Sequence, residues 1–397
     1  MHQAMNAAPP EFDLAICGAG PAGSALALLL AESGADAARI ALIDGRPPDT
    51  AADARLIAIS QGSRGTLERI GAWRDASATP IERIHVSHRG HFGRTLIDAR
   101  DYAVPALGYV IAYGDLQAQL DAALARVPVC RLRPARASAV TNAAAGDHVD
   151  LTLADARTMR ARFAVHAEGG LFDTQAPRTR VRDYAQTAIT AVVRCALPQP
   201  GVAWERFTPE GPLALLPLRQ PTGPACALVW CGTPDAAARR LALDEAAFLT
   251  ELHQAFGDRL GRFTASGPRH AFALGLNATD RLVDGRIFAI GNAAQTLHPV
   301  AGQGMNLALR DAMVLAGILG PALAAAHTAD PANCAARYLR ERRRDRGATI
   351  GITDLLPRVF ASEFAPLVHA RGAALALLDI VPRTRHWLAR QMMDGQR

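Results

Sequence analysis

The sequence predicts an α/β protein built on a Rossmann-like nucleotide-binding unit, and two glycine-rich stretches carry that expectation. The first is GAGPAG, Gly18 to Gly23, which follows the apolar run Asp13-Leu-Ala-Ile-Cys17 and leads into a run of small and apolar residues closed by Gly34. The second is GNAAQTLHPVAGQGMNLALRD, Gly291 to Asp311, which follows Arg286-Ile-Phe-Ala-Ile290. Both read as strand, tight turn and helix, an order that aims helix N-terminal amides at whatever lies in the turn.

In the first stretch Gly18, Gly20 and Gly23 stand in GxGxxG spacing. Gly18 allows the tight turn, Gly20 lets a pyrophosphate approach the backbone, and Gly23 lets helix pack on strand. A second strand-like run, Arg39-Ile-Ala-Leu-Ile43, ends in Asp44, 21 residues after Gly23, where a carboxylate accepts from a ribose hydroxyl. A lone GxGxxG is a weak signal. Strand, loop, helix, strand and acid in this order near the N-terminus point to a dinucleotide site. A further run, Arg162-Phe-Ala-Val-His166, leads into Ala-Glu-Gly-Gly170 and reads by itself as a strand ending in an exposed acidic turn at Glu168.

The second stretch asks for a flat ligand. Asn292 sits just past the strand end, placed to bond ribose or phosphate. Gly-Gln-Gly-Met-Asn306 opens a helix whose positive dipole end points back into the loop. A flavin fits, because its reduced ring carries negative charge that such a helix end stabilises, and Gly302 and Gly304 leave room for the ring against the backbone.

Composition excludes several other chemistries. The 397-residue chain is long enough for more than one domain. It contains no lysine, so all 43 basic residues are arginine, and neither a P-loop lysine nor a Schiff-base lysine is available. A net charge of +6 is too mild for a nucleic-acid footprint. The six cysteines form no CxxC pair and no metal spacing, so reduced thiols, a cytoplasmic location and no metal are expected. The start, MHQAMNAAPPEFD, lacks a cationic n-region, so no signal peptide is expected. The longest uncharged apolar stretch, Met313 to Ala326, has 14 residues and reads as a buried helix too short to span a bilayer. The runs Thr187–Val193, Leu213–Leu216 and Ala225–Trp230 suggest an antiparallel sheet between the two glycine sites.

These residues, in this order, resemble the class A FAD-dependent aromatic monooxygenases, the p-hydroxybenzoate hydroxylase group. Within it they resemble the ubiquinone-biosynthesis hydroxylases, most closely those acting on 2-polyprenyl-6-methoxyphenol. The carrying segments span nearly the whole chain: GAGPAG, DARLIAIS (Asp53–Ser60), HVSHRGHFG (His85–Gly93), WERFTPEGPLALLPL (Trp204–Leu218), LVWCGTP, GNAAQTLHPVAGQGMNLALRD and RRRDRGATIGITD (Arg342–Asp354).

The resemblance implies a discontinuous Rossmann-like FAD domain over 10–182 and 278–345. It also implies an antiparallel-sheet substrate domain over 183–277 with strands from about 82–98, and a C-terminal helical segment over 346–397. It puts Gly18, Gly20, Gly23 and Asp44 on the ADP half of FAD and Arg55 near the flavin or its ribityl chain. Asn292 takes the place of the family's second FAD-fingerprint aspartate. Pro299, Gly302, Gln303, Gly304, Met305 and Asn306 would wrap the ring. Glu168-Gly169 stands where most relatives carry Asp-Gly, a motif serving FAD and NAD(P)H, and Gly114 stands where many carry a basic residue.

The implied activity is hydroxylation of a polyprenylated phenol in ubiquinone biosynthesis. NAD(P)H or another donor reduces FAD, and O₂ enters through a flavin C4a-hydroperoxide. His298 and Pro299 are the residues expected to orient the substrate hydroxyl. Two alternatives stay open, a monooxygenase of a soluble aromatic and a non-catalytic flavoprotein-fold component of a quinone-biosynthesis complex.

A substrate with a polyprenyl tail lives in the bilayer, which implies peripheral contact with the inner membrane. The candidate segments are Phe360–Val368, Ala373–Ile380 and Arg383–Trp387, amphipathic with basic flanks. The six arginines of Arg337–Arg346 read instead as a solvated helix face.

Overall fold

The computed structural model describes residues 10–47, 53–91, 93–169, 175–176, 178–298, 302–324 and 330–361, together with 381, 385–386, 389–391 and 393. The membrane-contact segments beyond residue 361 therefore lie almost wholly outside the described residues. Strand Phe12–Cys17 is the centre of a parallel sheet, flanked by Ile40–Ile43 and Thr158–His166. Ile287–Ala289 extends the sheet beyond Thr158–His166, and Cys130–Leu132 extends it beyond Ile40–Ile43. All four residues of Ile-Ala-Leu-Ile43 are buried, as expected of a parallel strand covered on both faces. Helix Pro21–Glu32 starts with proline in its first turn, where the missing N–H is no loss. It packs against helix Gln303–Ala324 so closely that a Cβ on Gly320 would collide with Ser33.

A second sheet of nine strands follows. Arg180–Cys195 pairs antiparallel with Gly223–Gly232 and His270–Ala278, and the order continues through Gly211–Gln220 to Val202–Thr208. The earlier strands Arg83–His88 and Arg94–Asp98 join it, Arg83–His88 running parallel to Val202–Thr208, and the short strands Phe263–Ser266 and Gln295–Thr296 complete the nine among the described residues. The three strand-like runs noted in the sequence all lie inside these strands. One face of the sheet buries Trp204, Leu213, Leu215 and Trp230 against helices Pro234–Ala242 and Glu245–Phe256. The other face packs Ala203, Ile84, Leu216 and Ala227 toward a three-stranded sheet formed by Leu56–Ser60, Ala78–Ile81 and Gly108–Ala112.

Helix Gln303–Ala324 is long and apolar enough to cross a membrane by composition, but 67% of its most apolar window is buried inside this protein. It is a core helix, as the shorter apolar run Met313–Ala326 suggested. Helix Pro331–Ala361 runs unbroken through residues 345 and 346.

The arginine run departs from the solvated face expected of it. Arg340, Arg343 and Arg344 are exposed, whereas Arg342 and Arg346 are buried with Asp311, Asp345 and Arg310. Asp311 Oδ1 accepts from Arg342 Nε at 2.7 Å, and Asp345 Oδ2 accepts from Arg342 Nη1 at 2.7 Å and Arg310 Nε at 2.9 Å. Arg346 Nε donates to Gln295 Oε1 at 2.6 Å, and Tyr338 Oη donates to the Ala289 carbonyl at 3.1 Å. Positions 338, 342 and 346 recur every four residues, so one helix stripe grips the chain from 289 to 295.

Removing one member of a buried ion pair strands the other without water, which costs about 3–5 kcal/mol. Arg342→Ala and Asp311→Ala should each lower the unfolding free energy by about that amount. Arg343→Ala, on the exposed side of the same helix, should change it by less than about 0.5 kcal/mol. Denaturant unfolding of the three variants checks the contrast.

Candidate functional site

Open α/β sheets bind ligands outside the carboxyl ends of their strands. Here those ends are tied together. Gly18 N–H donates to the Ile43 carbonyl at 2.9 Å, Ala167 N–H to Cys17 at 2.8 Å, and Ile290 N–H to His166 at 2.9 Å. Gly18 has φ +111°, and a Cβ there would lie 2.7 Å from the Ala167 carbonyl group. On Gly23 a Cβ would overlap the Gly18 carbonyl oxygen. These two glycines thus bring three strand ends and one helix into contact. Gly20 is the helix N-cap and supplies no side-chain cap, so the first-turn amides stay available to an anion.

The second turn comes up against the first. Gly291 has φ +57°, and a Cβ there would sit 3.2 Å from both Ala22 Cβ in the first helix and Ala308 Cβ in helix Gln303–Ala324. Its N–H donates to Asp311 Oδ2 at 3.0 Å, and Gln295 Nε2 donates to the same oxygen at 2.7 Å. Gly302, with φ +59°, lies against strand Leu56–Ser60, where a Cβ would meet Ala58 Cβ at 2.9 Å. A Cβ on Gly304, by contrast, would meet nothing within 4 Å, which leaves open space beside the helix start. Gln303 is buried, Met305 is partly buried against the main core, and Asn292 is half-buried. Glu168 is exposed, and Gly169 faces open space.

Asn306 fastens the turn. Its Oδ1 accepts from Ser60 N–H at 2.8 Å, and its Nδ2 donates to the carbonyls of Ala58 and Gly302, each at 3.0 Å. Strand Leu56–Ser60 pairs with Gly108–Ala112, which leads into Tyr113. The Tyr113 hydroxyl lies 3.5 Å from the Cβ position of Gly20. The two glycine turns therefore frame one continuous site.

Asp44 is buried at the tip of its strand. Its carboxylate accepts from Arg46 Nε at 2.9 Å and Arg46 Nη2 at 2.8 Å. Burial pushes its carboxyl up, but the Arg46 hydrogen bonds and charge outweigh this and hold it below the usual range. Arg46 Nη2 also reaches the Ala19 carbonyl at 3.2 Å, and Gln117 Nε2 reaches it at 3.1 Å. Arg55 pairs with Asp53 and lies over the Tyr113 ring, 5.2 Å from its centroid. Gly114 N–H donates to the Asp53 carbonyl at 2.8 Å. Sequence reasoning passed over Arg46, Tyr113 and Gln117, although Arg46 follows Asp44 by two residues and Tyr113 immediately precedes Gly114.

His298 is 1% exposed, with Nε2 3.1 Å from Gln186 Oε1 and its ring edge-on to Tyr184. Burial pushes its imidazole down to about 4, so it is neutral near pH 7. Pro299 lies outside the described residues. Between the start of helix Gln303–Ala324 and the second sheet lies a small cleft of about 70 Å³, lined by Ala58, Ile81, Ile84, Ile97, Gln303 and Met393 among others. No group of three or more His, Cys, Asp or Glu among the described residues is arranged to hold a metal. Uncapped helix amides, a buried acid at the second strand end and open space at Gly304 fit a dinucleotide carrying a flat ring.

The FAD binding domain family matches residues 11–349. Ubiquinone hydroxylase UbiL of Rhodospirillum rubrum is 35% identical over 377 residues, covering 92% of this chain and 86% of that protein. The 3-demethoxyubiquinol 3-hydroxylase of Escherichia coli is 29% identical over 373 residues, covering 91% of this chain and 93% of that protein. The crystal structure of p-nitrophenol 4-monooxygenase PnpA from Pseudomonas putida superposes with a TM-score of 0.74 at 15% identity, over 97% of this chain and 99% of that one, a likeness of fold.

A histidine buried neutral has a folded pKa below its unfolded value. Its stabilising contribution is complete above pH 6.5 and is lost as pH falls toward about 4. For His298 the loss amounts to about 3 kcal/mol. His298→Gln should flatten the fall in unfolding free energy between pH 6.5 and 4, as measured by denaturant titration across that range.

Proposed function

The chain belongs to the FAD-binding domain family, and on that premise we propose that it hydroxylates the ring of a polyprenylated phenol in ubiquinone biosynthesis. FAD is its cofactor, and reduced by NAD(P)H or another donor it supplies, with O₂, the oxygen atom that enters the ring. In this reading Gly18, Gly20 and Gly23 admit the diphosphate to the first helix amides. Asp44 holds the adenosine ribose, exchanging part of its contact with Arg46. Arg55 and Tyr113 flank the path between the two halves of the site. Asn292, Pro299 and residues Gly302–Met305 cradle the ring, with Asn306 holding Gly302 in place rather than touching the ligand.

The single observation that carries the substrate class is the apolar lining of the cleft. Ile81, Ile84, Ile97, Leu107 and Met393 present hydrocarbon beside the helix start that would face the ring. A soluble aromatic acid would instead call for a cation there, because a buried carboxylate without a partner is costly. The named relatives support a quinone precursor, since one is a ubiquinone hydroxylase and another a 3-demethoxyubiquinol 3-hydroxylase. A polyprenyl tail partitions into lipid, so peripheral contact with a membrane belongs to the same reading, through the C-terminal segment. His298, neutral and held by Gln186, serves as a hydrogen-bonding group that orients the ring hydroxyl together with the Pro299 carbonyl.

Filling the cleft tests the assignment. Ile97→Trp should raise the KM for a long-chain prenylated phenol by roughly tenfold or more. FAD content and turnover of an unprenylated phenol should persist. Equal losses on both phenols, or no loss on either, would contradict the tail-binding role of the cleft.

A further inference from the structure

Among the described residues, the sheet face that looks toward the cleft carries a carboxylate with no hydrogen-bond or ion-pair partner, Glu205. Strand Val202–Thr208 alternates, so Trp204 and Arg206 point to one side and Ala203 and Glu205 to the other. Register fixes which side is which. Ala203 pairs with Ile84 and Glu205 with Val86, while Ile84 pairs with Ile97 on the next strand. Ile84 and Ile97 line the cleft, so Glu205 stands one row further along the same face, about 7 Å away at two residues' rise. Its cross-strand neighbours are Val86 and Ala214, with Val229 beyond them.

Among the described residues the Glu205 carboxylate makes no hydrogen bond and no ion pair. The residue as a whole is half-buried on this face. Burial nonetheless pushes its carboxyl up to about 7. Other titratable groups lie on or beside this face. Cys231 is buried, its thiol pushed up by that burial and by Glu205. His88, in the row beyond, is stacked on His91 with ring centroids 4.3 Å apart. His270 lies four strands away and is exposed. From the helix Pro331–Ala361 packed on the sheet, Asp354 is held by Arg182 and Tyr184. From the turn beside the cleft, His298 is held by Gln186.

We propose that Glu205 is the base that accepts the proton of the substrate's ring hydroxyl as the ring is hydroxylated, an inference that rests on the aromatic-hydroxylase reading above. The phenol O–H bond breaks and its proton passes to a Glu205 carboxylate oxygen. The bonding pair stays on the phenol oxygen and is delocalised into the ring, which makes the carbon receiving the new oxygen electron-rich. A base near the operating pH suits this task, since it is ionised before the reaction and only mildly basic.

The experiment uses the FAD-loaded enzyme, chemically reduced and then mixed with oxygen and 2-farnesylphenol, with hydroxylated product measured from pH 5.5 to 8.5. The wild type should gain hydroxylation through a single ionisation near 7. Glu205→Gln should form product about 10²–10⁴-fold more slowly, with that ionisation gone and the KM for the phenol little changed. A variant that keeps the wild-type rate and pH profile overturns the role of Glu205 and leaves the hydroxylase reading intact. A wild type that reduces and reoxidises its flavin but yields no hydroxylated phenol overturns both.

A second measurement needs no turnover. Glu205 has a folded pKa above its unfolded value, so its contribution to stability is complete below the unfolded pKa near 4.5 and is lost as pH rises through about 7. Glu205→Gln should therefore melt higher than the wild type at pH 8, with the gap closing by pH 5. Equal melting temperatures at pH 8 would mean that the carboxylate is solvated, which also overturns the proposal.

Discussion

The site depends on close backbone approach at four glycines. At Gly18, Gly23, Gly291 and Gly302 a single added carbon would meet the atoms of a neighbouring element at or inside van der Waals contact. The contacts are Ala167 on one strand end, the Gly18 carbonyl itself, Ala22 and Ala308 on two helices, and Ala58 on a third strand. Such contacts position helix starts to within a fraction of an ångström, because protein interiors are close-packed. The first helix consequently starts at Pro21 with no side-chain cap, and helix Gln303–Ala324 starts beside strand Leu56–Ser60. An anion at one and an electron-rich ring at the other are what those dipoles favour.

Glycines alone do not keep a turn in place, since they raise the entropy of the unfolded chain. The restraint on the second turn comes from a buried charge network. Asp311 takes the Gly291 amide and the Gln295 amide with one oxygen and Arg342 with the other. Asp345 joins Arg342 to Arg310. Each of these charges would be expensive to bury singly, and the geometry makes every one of them a partner of another. The second turn thus inherits its shape from a helix that begins forty residues after Gly291. The second sheet answers from the other side of the cleft with an apolar face interrupted by Glu205.

Much of this was legible in the residue string. GxGxxG with an acid at a fixed distance is a local pattern whose meaning is mechanical, and Gly18 and Gly23 fall where close packing of strand ends and helix leaves no room for a Cβ. The three apolar runs of the second sheet were legible because strands announce themselves by composition over a few residues. What stayed hidden was pairing across long sequence separation. Arg342 and Arg346 look like their exposed neighbours Arg343 and Arg344 until Asp311 and Gln295, more than thirty residues away, are brought beside them. Asn306 reads as a ligand-facing amide, and its commitment to the backbone of Ala58, Ser60 and Gly302 follows only from the fold. Glu205 left a trace, a charge alternating inward on an apolar strand. Which face was inward required the register with Ile84 and Val86.

The account stands on both glycine turns closing on one FAD. Titration of the purified apoprotein with FAD, followed by quenching of flavin fluorescence, measures this directly. One equivalent should bind, and substitution of alanine at either Gly23 in the first turn or Gly302 in the second should weaken that single binding event. Binding that survives both substitutions unchanged, or an apoprotein that takes up no flavin, would contradict the account.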